Sequence, residues 1–61
     1  MNQITPSNSP HGSTVECISN FADAEIKTGD KFEVIAWNTT RIQISVNGAL
    51  KWVKAQYFKK A

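Results

Sequence analysis

The sequence predicts one small all-β domain of about five short antiparallel strands, and two local signals and one absence predict it. Arg41 to Val46 alternates strictly, with Ile42, Ile44 and Val46 on one face and Arg41, Gln43 and Ser45 on the other, which is the period of a half-buried strand. That run enters Asn47-Gly48, the strongest short-range hairpin signal, because both central positions of a type I′ turn need positive φ. No stretch holds a helical period of useful length, while turn residues recur about every eight to ten positions, the spacing of a small barrel or sandwich.

Taken in order, Met1 to Thr14 reads as a flexible tail. Asn, Ser, Thr, Pro and Gly dominate it, and only Met1 and Ile4 offer apolar surface. The composition predicts no fixed structure there and little loss of stability on its removal. The domain proper is expected over 15–61. Val15, Cys17 and Ile18 form a short strand that ends at Ser19-Asn20, and Phe21 to Asp30 is too polar and irregular for a strand, closing in the turn Thr28-Gly29-Asp30. Lys31 to Trp37 reads as a strand with Phe32 and Val34 inward and Ile35 toward a second face; Asn38-Thr39-Thr40 ends it.

A two-residue hairpin then sets Val46 opposite Ala49, Ile44 opposite Lys51 and Ile42 opposite Val53, with Leu50 and Trp52 sharing the face of Gln43 and Ser45. This register turns Lys51 inward and Trp52 outward, so either a bulge resets it or the sheet presents Trp52 to solvent. Lys54 to Tyr57 is compatible with one helical turn, and Phe58 begins a last strand. Phe32, Val34, Ile42, Ile44, Val53 and Phe58 are the expected core.

Size and composition exclude several functions. A chain of 61 residues builds one small core, with no second lobe to close an active-site cleft. There is no carboxylate pair at useful spacing, no Ser, His and Asp set within the folded part, and no glycine-rich phosphate loop. The expectation is a non-enzyme with no cofactor. Cys17 is the sole cysteine and cannot form an intramolecular disulfide; with His11, the sole histidine, it falls short of the ligands of a zinc site. Cys17 is expected to be a buried small hydrophobe. No apolar run approaches a membrane span and no basic-then-apolar signal opens the chain, so no membrane role and a cytoplasmic location are expected.

Net charge is +2 but unevenly placed. Residues 15–40 hold five acids against Lys27 and Lys31, whereas residues 41–61 hold Arg41, Lys51, Lys54, Lys59 and Lys60 with no acid. If the two halves fold into one body, it has an acidic side and a basic side and suits a charged partner.

The order of these motifs resembles a Src homology 3 (SH3) type barrel over about Val15 to Lys59. Cys17-Ile18-Ser19-Asn20-Phe21 stands where that family carries Ala-Leu-Tyr-Asp-Tyr. Glu25 to Ile35 follows its pattern of an acidic loop, Lys-Lys-Gly-Asp and a strand with inward aliphatics. Asn47-Gly48 takes the distal hairpin, and Val53-Lys54-Ala55-Gln56-Tyr57-Phe58 takes the place of Phe-Pro-Ser-Asn-Tyr-Val. The family's groove for proline-rich peptides carries over only at Phe21 and Tyr57. Ser19, Lys54 and Gln56 replace its tyrosine, proline and asparagine, and Trp37 lies a few positions before the family tryptophan. The chain is also similar to short barrels of bacteria and their phages, a resemblance that implies an accessory protein that binds and inhibits a host protein.

The candidate partner-binding residues are Phe21, Trp37, Arg41, Lys51, Trp52, Lys54 and Tyr57. An aromatic platform fringed by basic side chains suits an acidic protein, with rings as anchors and lysines for steering. It also suits single-stranded nucleic acid, with bases stacked on the rings and lysines along phosphates. An overall charge of only +2 with an acidic half makes the protein partner the leading expectation and nucleic acid the alternative.

Overall fold

The computed structural model describes residues 4–61. Its elements are β1 (Thr14–Cys17), β2 (Lys31–Glu33), β3 (Ala36–Asn38), β4 (Arg41–Val46), β5 (Ala49–Lys54), a single 3-10 turn at Ala55–Tyr57, and β6 (Phe58–Lys60). They form two three-stranded antiparallel sheets, ordered β2-β1-β6 and β3-β4-β5.

The hairpin follows the register its residues dictate. Val46 pairs with Ala49, Ile44 with Lys51, Gln43 with Trp52 and Ile42 with Val53, with no bulge. Asn47 and Gly48 have φ of 53° and 85°, the signs a type I′ turn demands. An added Cβ at Gly48 would meet nothing within 4 Å, so the cost of Gly48→Ala is one of backbone conformation alone. We expect it to destabilise by about 1 kcal/mol or more, read as a lower denaturant midpoint. An unchanged midpoint would contradict the turn and the register with it.

The expected five-stranded barrel is not what forms: the described residues make six strands, and the two sheets do not close into a barrel. The cause lies in the run from Lys31 to Asn38, which changes partners halfway. Val34 N–H donates to Ser13 O and Val34 O accepts from Gly12 N–H, each at 2.8 Å, whereas the next amide, Ile35 N–H, donates to Gln43 O at 2.8 Å. The chain thus leaves the first sheet at Val34 and joins the second at Ile35, splitting one extended run into β2 and β3. Val34 is fully buried at this corner, while Phe32, expected in the core, is half-buried and lies edge-on to Phe58 at 6.3 Å.

Between the sheets lie Val15, Cys17, Val34, Ile42, Ile44, Val46, Val53, Ala55 and Phe58. Two more core residues come from segments without regular structure. Ile26 anchors the long β1–β2 loop, and Ile4 anchors the N-terminal segment at 2% exposure.

Ile4 belongs to the stretch whose composition predicts a flexible tail. Met1 to Gln3 lie outside the described residues, but residues 4–13 are seated on the body. Thr5 N–H donates to Asn8 Oδ1 and Asn8 N–H to Thr5 Oγ1, a reciprocal local pair. Ser9 N–H donates to Thr5 O, and Ser9 is fully buried. Its carbonyl accepts the Trp37 indole N–H at 2.8 Å. Composition underrates this segment because side-chain pairing and the fixed φ of Pro6 and Pro10 lower the entropy lost on ordering it, so one buried isoleucine and a few long-range bonds suffice.

Candidate binding surface

Strand alternation sorts the candidate residues. Because β3, β4 and β5 pair without a slip, Ala36, Asn38, Arg41, Gln43, Ser45, Leu50, Trp52 and Lys54 share the outward face of the second sheet, and Trp37, Lys51 and Val53 lie on the opposite one. Arg41, Trp52 and Lys54 are therefore brought together. Arg41 stands directly opposite Lys54, and Trp52 is two residues along the same strand, 46% exposed beside a 60% exposed Leu50.

The other candidates go elsewhere. Lys51 donates to Glu25 Oε1 at 2.9 Å and to Asp23 Oδ1 at 3.2 Å, tying β5 to the β1–β2 loop. Hydrogen bonding to Glu25, then to Asp23, holds its ammonium above the ordinary lysine range. Asp23 is held below the usual carboxylate range, first by the Glu25 backbone N–H at 2.9 Å and then by Lys51. Lys51 thus serves the fold. Trp37 is half-buried, packs on the core and gives its indole N–H to Ser9, and Tyr57 is half-buried against the same core. Phe21 stands on the β1–β2 loop at 84% exposure.

The expected division into an acidic and a basic side gives way to interleaving. Glu16 on β1 pairs across to Lys31, from its own half of the sequence, on one side and to Lys59, from the basic half, on the other, so this acid lies between two bases on the first sheet. With Lys51 also matched, the second sheet keeps one unmatched basic pair, Arg41 and Lys54. Among the described residues every ion pair belongs to Lys51. Like charges directly opposite on a sheet repel, a cost that a partner carboxylate would remove.

Next to this pair a groove of about 450 Å³ opens between the β3–β4 turn, the 3-10 turn and the N-terminal segment. Trp37 and Lys54 line it with Thr39, Thr40, Pro6 and Gln56. Thr39 sits at φ of 57°, an unfavourable region for a β-branched residue, and it holds the two-residue turn that shapes this wall. The sequence reading missed the groove because its N-terminal wall comes from the stretch read as tail. It omitted Leu50 from the site, although the Asn47-Gly48 register already placed that residue beside Trp52.

No cluster of three or more His, Cys, Asp or Glu that could hold a metal occurs among the described residues, and no helix among them is long and apolar enough to cross a membrane. Compared with known proteins, the chain matches no family model, no curated protein and no solved structure.

Proposed function

We propose that the chain is a non-enzymatic binding module with an SH3-like arrangement that docks on an acidic surface of another protein. The observation that carries this reading is the outward face of β3-β4-β5, where Leu50 and Trp52 stand exposed beside a basic pair with no acid of its own. Exposed aromatic anchors next to unmatched charge provide contact area and steering together. The order of elements supports the SH3-like arrangement: a long loop after the first strand, the Asn47-Gly48 hairpin, a 3-10 turn and a short last strand.

Nucleic acid is the weaker reading because the basic face is smaller than the sequence implies. Lys51 is held by two carboxylates, and Lys59 and Lys60 lie on the first sheet, Lys59 opposite Glu16, which leaves Arg41 and Lys54 on the aromatic face for phosphates. Two contacts give a salt slope of only about −1.4 for a single strand. A labelled 20-nucleotide strand titrated at 150 mM salt should show no binding by fluorescence anisotropy, whereas a partner captured from lysate should be lost from Trp52→Ala and Arg41→Glu variants that keep the wild-type thermal midpoint. Trp52→Ala should weaken the partner by about 2 kcal/mol or more, roughly 30-fold. Micromolar oligonucleotide binding, or partner capture indifferent to both substitutions, would overturn the proposal.

A further inference from the structure

The outward face is not the only feature β5 offers. In a two-residue hairpin the pair flanking the turn exchanges both hydrogen bonds, and bonded pairs alternate with non-bonded ones along the ladder. Val46–Ala49, Ile44–Lys51 and Ile42–Val53 are then the bonded pairs. The N–H and C=O of Leu50 and of Trp52 consequently point away from β4. β5 is an edge strand, and these four groups have no backbone or side-chain partner among the described residues. Natural edges are commonly blunted by proline, bulges, very short strands or charged side chains, lysine above all. Of the two lysines on β5, Lys51 points inward and is tied down by Asp23 and Glu25, which leaves Lys54. This edge has a six-residue strand, no bulge and no proline, and the residues whose backbone is open also carry the exposed apolar side chains.

We infer that a partner adds an extended, acidic strand antiparallel to β5, bonding the backbone of Leu50 and Trp52. This rests on the proposed protein-binding reading and specifies its mode. Strand addition takes its affinity from main-chain bonds and its selectivity from alternate side chains. The alternation here is legible: apolar residues opposite Leu50 and Trp52, and a carboxylate opposite Lys54, on the same face as Arg41 one strand further on. Charge decides the occupant. A second copy would bring another β5, whose charged residues are Lys51 and Lys54, and so supplies no acid to the unmatched pair.

The test uses the intact protein, isotope-labelled, and the end-blocked peptide Glu-Thr-Val-Thr-Val, which in the antiparallel sense sets Glu opposite Lys54 and the two Val opposite Trp52 and Leu50. Amide shifts and hydrogen exchange are followed as the peptide is raised to millimolar concentration. The expected result is saturable binding with slowed exchange of the Leu50 and Trp52 amides. N-methylation of the central Val, whose N–H would face β5, should weaken binding at least about tenfold, and N-methylation of the first Thr, whose N–H would face away, should leave it nearly unchanged. Shifts at the Trp52 indole and the Arg41 and Lys54 side chains, with those amides unprotected or both methylated peptides equivalent, would overturn strand addition and leave face docking standing. No shift anywhere would overturn both. Protection of Leu50 and Trp52 that rises with protein concentration in the absence of peptide would replace the acidic strand by a second copy.

Discussion

Ile4→Ala is expected to cost about 2–5 kcal/mol, the range for emptying a well-packed aliphatic site, and so to lower the thermal midpoint of a domain this size by about 10 °C or more. Ile4 is 2% exposed, within one cluster with Val15, Ile42 and Phe58. Deleting residues 1–13 should be worse still. It removes the carbonyl that accepts the Trp37 indole N–H and both groups that pair with Val34 at the sheet corner, leaving polar atoms there without protein partners. Thermal unfolding followed by circular dichroism checks both. A midpoint within about 4 °C of the full chain for either variant would show that the N-terminal segment contributes nothing, as composition alone predicts.

The second large effect falls on Phe58, whose substitution by alanine should cost about 3–5 kcal/mol. Phe58 has no exposed surface, meets Phe32 edge-on with ring planes 77° apart, and begins β6 opposite Cys17 of β1, so its ring joins the first sheet to the core beneath the 3-10 turn. Phe21→Ala is the control. At 84% exposure Phe21 has almost no packing to lose, and its removal should change stability by no more than about 0.5 kcal/mol. Denaturant midpoints measure the pair, and equal costs would mean that the loop and β6 are not placed as described.

Local signals carried the fold where they agreed with one another. At Arg41 to Val53 an alternating strand, a turn with positive φ and a second strand determine each other, so both the pairing and the outward placing of Trp52 follow from the residues. The 3-10 turn and the last strand were legible for the same reason. What was not legible depends on pairing far along the chain. The break between Val34 and Ile35 is set by Ser13 on one side and Gln43 on the other, and nothing in the run Phe32-Glu33-Val34-Ile35-Ala36 marks it. The charge halves mix because β6 pairs with β1 and β4 with β3, so each sheet takes strands from both, which no local pattern reveals. In the candidate site, Arg41, Trp52 and Lys54 came together because alternation is local. Lys51 was drawn away by two carboxylates from a loop more than 20 residues earlier in the chain.

The two tryptophans stand in opposite settings: Trp37 closes the fold under the N-terminal segment, whereas Trp52 lies open on the outward face of the second sheet. Exchange of the two indole protons, resolved by nuclear magnetic resonance on the intact protein, tests this most directly. The Trp37 indole N–H, bonded to the carbonyl of the buried Ser9 at 2.8 Å, should exchange slowly and lose that protection on deletion of residues 1–13. The Trp52 indole, on a side chain 46% exposed, should exchange at solvent rates in both proteins. Equal and fast exchange of both indoles in the full chain, or protection of Trp52 in place of Trp37, would contradict the account.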